Sequence, residues 1–160
     1  MPVPGPHLPL VLTACSEADA DALEAIAADP RVVQQLWVGR PGRLWAEGTR
    51  PGQAPDTLRL CLRAADGAVL GLVQCIGGQL SYFLHPDAWG QGLGAEMVAA
   101  ACALPALRST RIRAEVIREN LASRRILEHT GFRFAAIYQR AWSGRPGRVA
   151  MLVYERPPQT

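Results

Sequence analysis

Apolar residues recur along this chain at spacings that predict short strands and amphipathic helices. Residues Leu8 to Thr13 form an apolar run of strand length, and a helical pattern follows the capping residue Ser16. The apolar side chains on one face of that helix are Ala20, Leu23, Ile26 and Ala27. Pro30 is expected to end the helix, and one more helical turn is predicted through Val33 and Leu36.

A long exposed loop and three hairpin-connected strands are predicted next. From Gly39 to Thr57 the chain contains seven glycines and prolines, which are typical of turns. Three strand-like apolar runs follow, and the Asp66-Gly67 and Gly77-Gly78 pairs between them predict tight turns. The predicted strands are Thr57 to Arg63, Val69 to Ile76 and Gln79 to Leu84.

The second half of the chain is predicted to alternate helices with strands. The first helix, whose apolar face comprises Leu93, Met97, Ala100, Ala101 and Leu104, is stopped by Pro105. Asn120 is the expected N-cap of the second helix, Leu121 to Thr130, which Gly131 ends. Strands are predicted for Arg111 to Ile117, Arg133 to Arg140 and Arg148 to Glu155, with a Ser143-Gly144 turn between the last two.

This order of elements predicts the α+β class, with a mixed, mostly antiparallel sheet and one parallel β-α-β crossover. The chain has 160 residues and 49% hydrophobic residues, which is enough to bury one core. A single domain over residues 1–160 is therefore expected.

Composition excludes several classes of function. The chain contains no lysine, which excludes a Walker-type phosphate loop and Schiff-base catalysis. Its 17 arginines are balanced by 14 acidic residues, and a net charge of +3 does not favour nucleic-acid binding. The N-terminal residues lack the basic start of a signal peptide, and no apolar run reaches the length of a membrane span. A cytoplasmic protein without membrane contact is expected.

Four cysteines lie far apart in apolar surroundings, at positions 15, 61, 75 and 102. They include no C-x-x-C pair, the spacing typical of metal sites and redox motifs. Buried reduced thiols are expected, in preference to a disulfide framework or a metal site.

The segment from Trp89 to Ala95 has the strongest chemical signal. Three glycines alternate with other residues between a predicted strand and a predicted helix, namely Gly90, Gly92 and Gly94. Unpaired backbone amides and the positive end of a helix dipole at such a junction bind phosphate or pyrophosphate. A plain tight turn is one alternative. A dinucleotide fold is another, because the first two glycines and Ala95 fit its pattern and Glu115 could bind a ribose. Only about 65 residues follow, too few for its further strand-helix units.

Two linked motifs resemble those of a known family. The stretch Leu84-His85-Pro86-Asp87-Ala88-Trp89-Gly90-Gln91-Gly92-Leu93-Gly94 resembles motif A of the GCN5-related N-acetyltransferases, the GNAT family. The stretch from Glu119 to Phe132, which contains Asn120 and ends in Gly-Phe, is similar to the family's asparagine-containing helix. The Trp-Gly pair and the Ala-Ser-Arg-Arg run resemble one branch, the ribosomal-protein-alanine N-acetyltransferases (RimJ/RimL-like).

The resemblance implies a GNAT fold, with about seven strands flanked by about four helices. It also implies an N-acetyltransferase in which a primary amine, on a peptide N-terminus or a small molecule, attacks acetyl-CoA directly in a ternary complex. The residues that it assigns to acetyl-CoA are Leu84, His85, Trp89, Gly90, Gln91, Gly92, Leu93, Gly94, Asn120 and Ser123. A monomer or homodimer without a metal ion is expected. A non-catalytic acetyl-CoA sensor or interaction module remains an alternative.

The resemblance also implies catalytic roles. Many members place a proton-donating tyrosine seven residues after the asparagine, where this chain has Leu127. Ser123 is the expected substitute that protonates the leaving thiolate, and a backbone amide near Leu84 polarises the thioester carbonyl. For the base, Glu115, His85 and a water chain to solvent all remain open.

Tryptophans add two expectations. Trp89 stands where many members have arginine or glutamine, so the backbone amides must provide more of the pyrophosphate binding. Trp37, Trp45 and Trp142 could line an acceptor pocket, although single aromatic residues more often pack in a core or at a rim.

Overall fold

The secondary structure forms one mixed sheet with helices packed on it, in a computed structural model that describes residues 11–35, 58–141 and 146–159. The strands in these ranges are β1 (Val11–Ala14), β2 (Leu58–Arg63), β3 (Val69–Ile76), β4 (Gln79–Leu84), β5 (Ile112–Ile117), β6 (Arg133–Ala141) and β7 (Arg148–Arg156). The α-helices are α1 (Ala20–Ala27), α2 (Pro30–Val33), α3 (Leu93–Ala103), α4 (Pro105–Arg108) and α5 (Leu121–His129). Short 3-10 turns lie at Glu17–Asp19 and Pro86–Ala88.

The sheet has seven strands in the order β1-β2-β3-β4-β5-β7-β6. Every neighbouring pair is antiparallel except β4 and β5, which are parallel and are connected through α3 and α4. The α+β class and the single parallel crossover are thereby confirmed. Parallel strands need such a crossover because a tight turn cannot connect them.

Apolar side chains project from both faces of the sheet, and helices bury both faces. On one face the predicted apolar stripe of α1 packs against β2, β3 and β4, where Leu23 and Ala20 are fully buried and Phe83 contributes from β4. On the other face α3, α4 and α5 cover β4, β5 and β7. In β4, Leu80, Tyr82 and Leu84 point to this second face. Successive side chains of a strand point to opposite faces, so β4 contributes to both cores.

The two prolines that were expected to stop helices each follow the end of one helix and begin the next. Pro30 is the first residue of α2, and Pro105 is the first residue of α4. Proline suits this position because its missing N–H would have no partner inside the helix. Leu104, directly before Pro105, has an extended backbone (φ −63°, ψ 141°), since the proline ring disfavours helical geometry in the preceding residue. Helix α3 therefore ends at Ala103.

The buried face of α3 also differs from the predicted one. Leu93, Met97 and Ala101 are buried as expected, whereas Ala100 is exposed. Val98 and Cys102 are buried in its place, and the packed face includes Gly94. In this alanine-rich helix the composition distinguishes the faces poorly, so contact with β4 and α5 decides the orientation.

The prediction of four reduced thiols is wrong for two of them. Cys15 and Cys61 form a disulfide, whereas Cys75 and Cys102 are free and buried. Strand pairing brings the two bonded cysteines together: Thr13 of β1 lies opposite Cys61 of β2, and Cys15 follows β1. A sequence separation of 46 residues gives no sign of this proximity.

Several predictions fall outside the described residues. They are the first residues of the predicted strand from Leu8, the helical turn at Leu36, the loop from Gly39 to Thr57, the Ser143-Gly144 turn, and Trp37, Trp45 and Trp142. Among the helices of the described ranges, none is both long and apolar enough to cross a membrane.

Candidate active site

The parallel strands β4 and β5 pair only at their first residues. Gln79 lies opposite Arg113 and Leu80 lies opposite Ala114, and no further pair joins the two strands. The remaining residues of both strands, 81–84 and 115–117, border a seam that opens toward their carboxyl ends. Helices α3 and α5 follow β4 and β5 in the chain, so both begin at this same end of the sheet.

The β4 edge of the seam presents unpaired backbone groups. In an antiparallel ladder, successive residues direct their N–H and C=O groups to alternate sides. The backbone N–H of His85 donates to the Leu70 carbonyl on the β3 side at 2.7 Å, which fixes this alternation. The backbone groups of Tyr82 and Leu84 therefore point away from β3, into the seam.

The loop from Gly90 to Ala95 presents a second row of free amides. None of its backbone N–H groups donates to a backbone carbonyl within the described ranges. Helix α3 begins at Leu93, and its N-cap Gly92 has a left-handed backbone (φ 76°) that favours glycine. Gly90, Gln91 and Gly92 are exposed. Free amides at the start of an eleven-residue helix form a receptor for a phosphate group.

Side-chain hydrogen bonds hold this loop against the end of β4. The indole Nε1–H of Trp89 donates to the Leu84 carbonyl at 3.0 Å. His85 caps the following 3-10 turn, with Nδ1 accepting from the Asp87 backbone N–H at 3.0 Å. Gln91 donates from Nε2 to the Asp87 carbonyl at 3.2 Å. The indole is thus the hydrogen-bond partner of the Leu84 carbonyl, one of the backbone groups that face the seam.

Glycines 92 and 94 differ in their surroundings. A Cβ atom on Gly92 would meet nothing within 4 Å, so this glycine borders open space. A Cβ on the buried Gly94 would lie 2.7 Å from Ile126 Cδ1 of α5 and 3.5 Å from Leu84 Cδ1. The absence of a side chain at Gly94 therefore permits close packing of α3 against α5 and β4.

Helix α5 begins with the predicted asparagine cap and places Ser123 toward the seam. Asn120 Oδ1 accepts the backbone N–H of Ser123 at 3.1 Å, which satisfies an amide that has no partner inside the helix. The position seven residues after Asn120, Leu127, is 1% exposed and lies in the core.

Tyr82 is a polar residue of the seam that the sequence analysis missed. Its phenol oxygen lies 2.6 Å from Ser123 Oγ and 3.3 Å from the Ser123 carbonyl oxygen. Burial raises the pKa of Tyr82 to about 12, so the phenol is protonated at neutral pH. The alternation of Leu80, Tyr82 and Leu84 could have placed this side chain on one face of β4. Only the packing of α5 on that face brings it to Ser123.

Glu115 lies on the opposite face of the sheet from Ser123. Its Oε2 accepts from the Tyr138 hydroxyl at 2.6 Å, and Arg113 contacts its Oε1 at 3.0 Å. Burial, and then the hydrogen bond to the Glu115 carboxylate, raise the pKa of Tyr138. Ala114 and Val116, the neighbours of Glu115, pack in the core under α3 and α5, so Glu115 points to the other face and borders the seam just beyond the last β4–β5 pair.

Similar structures share this architecture. They include yncA of Salmonella typhimurium, solved with its cofactor acetyl-CoA (TM-score 0.76, 17% identity, 96% of this chain and 96% of that chain covered). RimL, a ribosomal L7/L12 alpha-N-protein acetyltransferase solved with coenzyme A, has a TM-score of 0.73 at 18% identity, over 93% of this chain and 94% of that chain. Spermidine N-acetyltransferase of Vibrio cholerae, in complex with CoA and spermine, has a TM-score of 0.72 at 18% identity, over 92% and 95%.

Sequence comparison identifies the family. No curated protein sequence matches the chain. The sequence model of the acetyltransferase (GNAT) domain matches residues 9–133, which include the β4–α3 glycine loop, β5 and α5. The match covers more than half of the 160 residues. The chain therefore belongs to the acetyltransferase (GNAT) domain family.

Proposed function

We propose that this chain binds acetyl-CoA in the seam between β4 and β5 and transfers the acetyl group to a primary amine. The observation that supports this most directly is the pair of unpaired backbone rows, one along β4 and one at the start of α3. A pantetheine arm can pair with the first row as an added strand, and a pyrophosphate can bind the second. The cofactor contacts would come from Leu84, the loop residues 89–94, Asn120 and Ser123.

Each requirement of acetyl transfer has a candidate group at the seam. The Leu84 backbone N–H points into it and would polarise the thioester carbonyl. Ser123, on the α5 side, would protonate the leaving thiolate, and Glu115, on the opposite face, would accept the proton of the attacking amine. His85 is the weaker candidate for the base, because its Nδ1 already accepts a hydrogen bond within its own turn.

For the acetyl acceptor we propose only a chemical class, the primary amines. Spermine and a ribosomal protein N-terminus, named for two of the similar structures, are both amines. We also propose that the protein is cytoplasmic and works as a monomer or homodimer.

Thermal melts test cofactor binding. Acetyl-CoA at about a hundred times its Kd should raise the free energy of unfolding by about 2.7 kcal/mol, because it binds only the folded chain. NADH should have much less effect. Equal stabilisation by NADH would support a dinucleotide site and contradict the proposal.

Thiol release from acetyl-CoA tests the transfer. Spermine and a short peptide with a free N-terminal alanine are the acceptors, and the same peptide with a blocked N-terminus is the control. At least one free amine should accelerate thiol release, and the blocked peptide should not. A thermal shift without acceleration by either amine would favour a non-catalytic acetyl-CoA sensor.

A further inference from the structure

Tyr82 and Ser123 form a hydroxyl pair beside the opening of the seam. The phenol lies on β4, whose backbone borders the seam, and the serine lies in the first turn of α5. Their oxygens are 2.6 Å apart, and either one can be the donor. Both side chains are partly buried. This is a short hydrogen bond between two groups that sequence motifs do not connect.

The contact allows two proton arrangements without movement of heavy atoms. The Tyr82 hydroxyl can donate to the Ser123 carbonyl at 3.3 Å, while Ser123 donates to the phenol. Alternatively, the phenol donates to Ser123 Oγ, and the serine proton is then free to point elsewhere. Because the pKa of Tyr82 is about 12, the phenol keeps the proton that the second arrangement requires.

We propose that Tyr82 is a positioning residue for acetyl transfer: its hydroxyl donates to Ser123 Oγ and leaves the serine proton free for the departing sulfur. The inference rests on the proposed function and adds a residue to it. As the carbon–sulfur bond breaks, its electron pair stays on sulfur and forms a bond to the serine proton. The Tyr82 hydroxyl stabilises the charge on Oγ. Glu115 accepts the proton that the amine loses and releases it to solvent, and Oγ regains a proton from solvent.

Tyr154 offers a matched control for removal of a buried phenol hydroxyl. It is 1% exposed, and its hydroxyl donates to Glu128 Oε1 at 3.0 Å and accepts from Arg124 Nε at 3.4 Å, both in helix α5. Among the described contacts it has none with Ser123. Tyr154→Phe and Tyr82→Phe thus each remove a phenol hydroxyl that hydrogen-bonds to α5, and only the Tyr82 hydroxyl contacts the proposed proton donor.

The experiment compares Tyr82→Phe, Tyr154→Phe, Ser123→Ala and the Tyr82→Phe/Ser123→Ala double variant. Acetyl-CoA and the amine with the fastest thiol release are the substrates, and calorimetry gives the acetyl-CoA Kd. Tyr82→Phe should lower kcat by about ten- to a hundredfold, because it removes a hydrogen bond to a group that becomes charged. The Kd should stay within about twofold. In the Ser123→Ala background the same change should have little further effect.

The outcomes separate this inference from the proposed function. Tyr154→Phe should lower Tm and keep kcat. A normal kcat in Tyr82→Phe, with a loss in Ser123→Ala, would overturn only the role of Tyr82. Equal losses from Tyr82→Phe in both backgrounds, or a comparable kcat loss in Tyr154→Phe, would show that the phenol acts through the fold. Full activity in Ser123→Ala would refute the role of Ser123 as the proton donor. Absence of turnover in the wild type would refute the proposed acetyl transfer itself.

Discussion

Single residues of the glycine loop differ in what they contribute, although the motif presents them as equivalent. Gly92 has a left-handed backbone and faces open space, whereas Gly94 has a helical backbone and contacts α5. Trp89, which the resemblance assigned to acetyl-CoA binding, donates its indole N–H to the Leu84 carbonyl. The loop therefore contains one glycine suited to ligand approach, one required for packing, and one aromatic anchor.

Gly92→Ala should weaken acetyl-CoA binding by about tenfold or more, a loss of about 1.4 kcal/mol. The added methyl group would project into the open space beside the free amides, where the pyrophosphate is proposed to lie. The left-handed backbone should also cost about 1–2 kcal/mol of stability. Calorimetric titration with acetyl-CoA, together with urea unfolding, measures both effects.

Gly67→Ala is the control for backbone strain. Gly67 lies in the β2–β3 hairpin with φ 86°, and a Cβ there would also meet nothing within 4 Å. Its stability loss should match that of Gly92→Ala, and its acetyl-CoA affinity should equal the wild-type value. If both variants bound acetyl-CoA normally, Gly92 would serve only as a turn residue.

At the scale of elements, β4 links the two helical layers to the seam. Phe83 packs toward α1, and Tyr82 and Leu84 pack toward α3 and α5. The same strand pairs with β3 along its whole length but with β5 only at its beginning. The position of β4 relative to β3 therefore sets the position of the seam groups.

Gly71→Ala tests this dependence. In β3, Gly71 lies opposite Leu84, and a Cβ there would be 2.6 Å from the Phe83 carbonyl oxygen and 2.6 Å from Leu84 Cδ2. The carbonyl belongs to the backbone and cannot rotate away, so β3 and β4 must move apart. The variant should lose about 1–3 kcal/mol of stability in urea unfolding.

Gly94→Ala provides the comparison for this prediction. Its Cβ would meet the end of a flexible side chain, Ile126 Cδ1, and alanine also favours a helix over glycine by about 1 kcal/mol. Gly94→Ala should therefore destabilise less than Gly71→Ala. The reverse order would show that the α3–α5 contact is less adaptable than the β3–β4 pair.

At the scale of the whole molecule, the ion pair between Arg63 and Asp19 joins the N-terminal segment to the sheet. Arg63 of β2 contacts the Asp19 carboxylate at 2.7 Å and also donates from Nε to Thr13 at 2.7 Å. The Asp19 side chain is 10% exposed. The hydrogen bond from Arg63, followed by the one from the Ser16 backbone, holds the pKa of Asp19 below its ordinary value despite the burial.

Acid should remove this contribution to stability. Because the folded-state pKa of Asp19 is depressed, its stabilising effect is complete above the unfolded value of 3.8 and is lost as the pH falls through the folded value. The free energy of unfolding should therefore decrease below about pH 4, and the decrease should be smaller in Asp19→Asn. Urea unfolding of both proteins at several pH values measures the difference.

Asp29→Asn is the control for this pH dependence. Arg31, two residues away, lowers the pKa of Asp29 to about 2, but the pair is exposed and local in sequence, so it also forms in part in the unfolded chain. The variant should follow the wild-type pH dependence closely. If the pH dependence of Asp29→Asn were as flat as that of Asp19→Asn, the local Asp29–Arg31 pair would contribute as much as the Asp19–Arg63 pair, which spans 44 residues.

The sequence by itself determined the order and type of most elements. β3 and β4 were predicted with their observed bounds, and β5, β6, β7 and α5 within one residue at each end. Hydrophobic periodicity and the glycine and asparagine boundary signals are local properties, so no tertiary contact was needed to read them. The motifs around Trp89 and Asn120 likewise indicated the family, which the GNAT domain match confirms. The site roles assigned to these residues stay predictions.

Tertiary structure alone decided which distant residues meet. The Cys15–Cys61 disulfide depends on the pairing of β1 with β2, and the Tyr82–Ser123 contact depends on α5 packing over β4. Glu115 and Ser123 lie on opposite faces of the sheet, because Ala114 and Val116 on either side of Glu115 point toward α3 and α5 and side chains of a strand alternate between faces. Such contacts join residues 41 or 46 positions apart, and local propensity has no information about them. The buried face of the alanine-rich α3 was predicted only in part, with Ala100 wrongly included, since several faces of such a helix are similarly apolar and only its neighbours select one.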